Sequence, residues 1–102
     1  MQDNTVNALY SLVESALLLR QVLTSLEASN RNKPSRENED LIRNIQKSLS
    51  EIIGYISSIA VAEGIDIKGD NKEINLTKLA KIINLNTPDR IMIDTNNWSD
   101  IF

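Results

Sequence analysis

Two long lines of apolar residues, each advancing by alternating steps of three and four, constrain this chain more than any other feature. In the first, Leu9, Leu12, Ala16, Leu19, Leu23 and Leu26 follow one another at that spacing, with Thr5 on the same line. In the second, Ile42, Ile45, Leu49, Ile52, Ile56 and Ile59 do the same. A repeat of 3.6 residues keeps such positions on one side of an α-helix, whereas a strand would send neighbours to opposite faces. The chain is therefore committed to two long helices with a coiled-coil-like seam. Val6, Val13 and Leu17 widen the first line, and Leu41, Ile53 and Ala60 the second. The first stripe then covers roughly half of its helix, more than one partner helix would bury.

The punctuation agrees with that division. Asp3, Asn4 or Thr5 can cap the first helix, which is expected over about residues 4–28. The segment from Ser29 to Lys33 lacks periodicity and ends at Pro34, which cannot continue a helix. Ser35 offers a capping hydroxyl, and Glu37, Glu39 and Asp40 put negative charge near unpaired N–H groups. A second helix is expected over about 36–63, closed by Gly64 in the left-handed conformation with Ile65 folding back onto the last turn. Helices of this length reach roughly 40 Å, and a short connection makes them a helical hairpin.

Beyond Gly64 the pattern changes. Ile65-Asp66-Ile67 and Glu73-Ile74-Asn75-Leu76 alternate around Lys68-Gly69-Asp70-Asn71-Lys72, which suits a small β-hairpin or an ordered loop. Leu76, Leu79, Ala80 and Ile83 have helical spacing, so a short third helix capped by Asn75 or Thr77 should run to about Asn84. Thr87-Pro88-Asp89 can open a further short helix, although Ile91-Met92-Ile93 would suit a strand equally. The expectation is a single all-α, or nearly all-α, domain over residues 1–102. It consists of a long antiparallel hairpin with a smaller C-terminal element over 65–102, completed as a bundle by self-association.

Composition excludes more chemistry than it suggests. With no His and no Cys, the usual zinc sites and Ser-His or Cys-His nucleophile pairs are ruled out. Glu37-x-x-Asp40 superficially matches the acidic metal motif of helical nucleotide pyrophosphohydrolases. The matching acidic pair on a second helix is missing, since helix one has only Glu14 and Glu27 and helix two adds only Glu51 and Glu63. Asp66-x-Lys68-x-Asp70 fails as a calcium loop, with Lys at the third position of the loop, Gly69 misplaced for the sixth and Thr77 where a bidentate Glu belongs. No cofactor, metal or enzymatic activity is expected.

Net charge is 0, −2 and −1 over residues 1–34, 35–63 and 64–102, which together make −3, and no segment is basic. Nucleic-acid binding draws on Lys and Arg against phosphates, so it ranks low. A helix-turn-helix built on Lys78 and Lys81 would carry Asp89 and Asp94 on its second helix, where they would meet phosphate badly. The longest apolar runs are four residues, too short to span a bilayer, and the start lacks a secretory pattern, so a cytoplasmic protein is expected.

A few residues fit this plan poorly and become candidates for function. Arg20 and Glu27 fall at the edge of, or within, the apolar stripe of helix one, as an anchor for an anionic ligand or partner or as register-setting polar contacts. Ser50, Gly54 and Ser57, with Val61, form a ridge of mostly small residues, suited to close approach by a neighbouring helix or to a groove. Trp98 and Phe102 hold half of the four aromatic residues, as anchors for a partner or as cover for the core. The function expected from these features is a non-catalytic helical protein–protein interaction module, such as an adaptor, inhibitor, chaperone or immunity-type factor. The expected partners are further copies of itself and another protein. The alternatives are a small nucleic-acid-binding regulator, or a small-ligand binder with a site in the bundle.

Overall fold

Pro34 divides the chain into its two long helices. In the computed structural model, which describes residues 3–67, 69–70 and 72–87, these are α1 (Asp3–Asn32) and α2 (Arg36–Ala62), followed by α3 (Lys72–Asn86). Among the described residues there is no strand.

At the start of α2 the Ser35 hydroxyl accepts from the Asn38 backbone N–H at 3.1 Å, satisfying one of the donors a helix start leaves open. Its end is equally explicit. Gly64 takes φ +83°, Ile65 N–H donates to the Ala60 carbonyl at 2.8 Å, and Gly64 N–H donates to the Val61 carbonyl at 2.9 Å. These two bonds make a Schellman motif, and the buried Ile65 side chain supplies its hydrophobic contact.

Three boundaries differ from those read in the sequence. α1 is already helical at Asp3, so Asn4 and Thr5 lie within the helix and do not cap it. It also continues past Ala28 to Asn32, because nothing before Pro34 forbids the helical conformation. The side chain of Asn30 then ties down the connection, its Oδ1 accepting from the Ser35 N–H at 3.0 Å. The third difference lies between Gly64 and Leu76. Ile65 and Ile67 are buried in an irregular loop, while Glu73-Ile74-Asn75-Leu76 belongs to α3 and not to a hairpin strand. A four-residue alternation fits period 2 and period 3.6 alike, and here Ile74 projects outward while Leu76 opens the buried row of Leu79, Ala80 and Ile83. Neither Asn75 nor Thr77 caps α3, and Asn75 Nδ2 instead donates to the Asp66 carbonyl, fastening the loop to the helix. α3 ends at Asn86, two residues later than expected, where Thr87 donates its hydroxyl back to the Ile83 carbonyl at 2.6 Å.

α1 and α2 pack along each other, and α3 packs on α1. A connection of residues 33–35 leaves no room for a crossover, so the two long helices run antiparallel. The core is fullest away from that connection. Val6, Leu9, Val13 and Ala16 of α1, Ile56 and Ala60 of α2, and Leu79 and Ile83 of α3 are fully buried there. Toward the connection only Leu23 and Leu49 are buried, and Leu19, Leu26, Ile42 and Ile45 are half-buried. No described helix is long and apolar enough to cross a membrane.

Candidate interaction surface

The seam between α1 and α2 is made by Leu9, Ala16 and Leu23 facing Ile42, Leu49 and Ile56 at seven-residue spacing. Residues four beyond each seam position lie on one flank of the helix pair, and residues three beyond lie on the other. Because the helices run antiparallel, this rule selects the same side for both.

The first flank carries Val6 and Val13 on α1 and Ala60 on α2, with Tyr10 and Ser57 outside them, and all five are buried. On the other flank at the same height Leu12 and Ile59 are half-buried and Tyr55 is exposed. α3 therefore covers the first flank. At 15 residues it reaches about 22 Å, half the length of α1. Beyond Val13 and Ser57 the first flank still carries Leu17 on α1 and Ile53 on α2, both half-buried, and it then changes character, with Arg20, Thr24 and Glu27 on α1 and Ser50, Gln46 and Arg43 on α2.

This pattern accounts for the charges that fitted poorly in the sequence. Arg20 is exposed, and it borders a surface depression with Gln21, Thr24 and Ser25. Glu27 is half-buried in a separate shallow depression with Arg31, Glu39, Ile42 and Arg43. The two side chains lie on the α3-bearing flank beyond the end of α3, and they do not line a common site. Arg43 is ion-paired with Asp40, an exposed contact within one turn that contributes little to stability.

The small-residue ridge also separates. Ser50 is exposed, Gly54 is half-buried and Ser57 is buried with no hydrogen-bond partner for its Oγ among the described residues. A Cβ placed on Gly54 would meet no atom within 4 Å. The close approach of a neighbouring helix expected at Gly54 is thus not made by α1 or α3. Trp98 and Phe102, and the elements expected from Pro88 onward, lie outside the described residues. Among the described residues no three acidic side chains cluster closely enough to hold a metal ion.

The flank opposite α3 does not stand out in the sequence alone, although its signal is present in the seven-residue spacing. Its inner row is Leu12, Leu19 and Leu26 with Ile45, Ile52 and Ile59, all half-buried. Its outer row is Ala8, Ser15, Val22 and Ser29 on α1 with Leu41, Ser48, Tyr55 and Ala62 on α2, all exposed. In the outer row Val22, Leu41 and Tyr55 are large, and the other positions are Ala or Ser. Neither row contains a charged residue, in a chain of which 25% is charged. Val22 is 40%, Leu41 46% and Tyr55 58% accessible, so the apolar character continues outward past the seam. Nothing in α1, α2 or α3 covers this flank.

No protein-family model, curated protein or solved structure matches the chain.

Proposed function

We propose that this chain is a non-catalytic helical interaction module, an adaptor, inhibitor, chaperone or immunity-type factor working in the cytoplasm. It presents the flank of its α1/α2 hairpin that lies opposite α3, and it completes a bundle there by associating with itself or with another protein. The observation that carries this reading is the pair of uncharged rows running the length of the hairpin. Where α3 ends on the first flank, the sequence becomes polar; on the second flank, with no cover in the described structure, it stays uncharged throughout. Exposed contiguous apolar surface of that extent marks an interaction site. The absence of His and Cys from the sequence supports a role without catalysis.

A photo-cross-linking amino acid at Val22 tests the reading, with one at Lys47 on the exposed outer face of α2 as reference. Protein adducts, of the chain with itself or with another protein, are expected from position 22 and not from 47. Equal labelling from both positions would count against this flank as the interface, and salt-sensitive retention of nucleic acid with no protein adduct would favour the rival reading of a nucleic-acid-binding regulator. Divalent-metal-dependent turnover that is lost in Glu37→Gln or Asp40→Asn would refute the non-catalytic assignment.

A further inference from the structure

We propose, resting on that reading, that the occupant of the flank opposite α3 is a second copy of this chain, stacked face to face with both connections at the same end. α1 ends at Asn32 and α2 begins at Arg36, and the depression near the connection is lined by Glu27 and Arg31 of α1 together with Glu39 and Arg43 of α2, so residues of the two helices whose numbers add to about 70 lie near one level. Applied to the outer row, this pairs Ser15 with Tyr55, Val22 with Ser48 and Ser29 with Leu41. At each of these three levels one helix carries a large side chain and the other a small one, while at the fourth, Ala8 with Ala62, both are small.

Alternation of that kind is what a two-fold axis parallel to the helices can use. Rotation about it lays α1 of one copy over α2 of the other at equal height. Tyr55 then meets the partner copy's Ser15 position, Val22 meets Ser48, and Leu41 meets Ser29, a large residue over a small one every time. The inner row of Leu12, Leu19, Leu26, Ile45, Ile52 and Ile59 turns toward the axis of the resulting four-helix bundle, while α3 stays on the outside of each copy. Such a contact is isologous, with one patch serving both copies. No charge is buried unpaired, because neither row has one.

The size is adequate as well. A face two helices wide and about 33 Å long covers roughly 600 Å² per copy, or about 1,200 Å² for both, at the lower end of specific interfaces.

Engineered cysteines in the full chain can read this arrangement directly, since the protein has none of its own. In the Val22→Cys/Ser48→Cys double variant, mild oxidation should yield a covalent dimer in high proportion, and neither single variant should do so. Val22→Glu and Tyr55→Glu change exposed side chains, so they should keep the helical circular dichroism while sedimenting as monomers. A dimer that survives both Glu substitutions overturns the proposal, as does a dimer in which the cysteines introduced at positions 22 and 48 fail to cross-link. A monomeric wild type overturns it too. If the probe at Val22 then still labels a different protein, the interaction-module reading stands and only the identity of the partner is wrong; with no adduct at all, both fall.

Discussion

Two of the glycines occupy helical surroundings and should respond oppositely to the same substitution. Gly64 sits at φ +83°, where an L side chain is strained, and it closes α2. Gly64→Ala is expected to cost about 1 kcal/mol, which in a domain of this size lowers the melting temperature by about 4–8 °C. Gly54 lies inside α2 with open space where a Cβ would go. Gly54→Ala should therefore raise stability by about 0.5–1 kcal/mol through helix propensity alone. Thermal melts of the two variants check both signs, and a loss at Gly54 would reveal a close neighbour that α1 and α3 do not supply. Gly64 is recognisable in the sequence because its role depends on local backbone geometry. The environment of Gly54 is not, since small residues at helical spacing look the same beside a neighbour and beside empty space. Arg20 and Glu27 are visible as oddities, but their explanation requires knowing how far α3 reaches along α1.

At the scale of elements, the seam of α1 and α2 and the caps of α2 follow from features within a few turns of sequence. The Ser35 cap, the Pro34 break and the Gly64 close are all of this kind. What escapes the sequence is set by packing between distant segments. Ile65 and Ile67 alternate as a strand would, but they are buried in a loop and form no strand. α3 begins four residues before the first member of its buried row. The two flanks contrast in the same way, because their difference depends on which side α3 chooses. Leu79 is fully buried between α3 and the rest of the core, so Leu79→Ala is expected to cost about 2–5 kcal/mol. Chemical denaturation should record that loss as a lower midpoint with the slope retained. Within the inner row, Leu19→Glu or Ile52→Glu places a charge among apolar neighbours and should disrupt the helical core. Lys47→Glu, on the exposed outer face of α2, should change the melting temperature by no more than a surface substitution does. If Leu19→Glu melts as the wild type does, the inner row contributes nothing to the packed structure.

The molecule as a whole is asymmetric between the two flanks of one helix pair. One is covered over half its length by α3 and becomes polar where the cover ends. The other is uncharged over its full length and has no cover among the described residues. Leaving several Leu and Ile side chains in water would forgo about 1.5–3 kcal/mol each, enough for a few of them to outweigh the ordering cost of association. The measurement that tests this most directly is the mass of the wild-type protein by light scattering across micromolar concentrations. The account predicts twice the chain mass of 11.5 kDa, falling toward a single chain only on dilution. A mass of 11.5 kDa at every concentration would contradict self-association through the flank opposite α3.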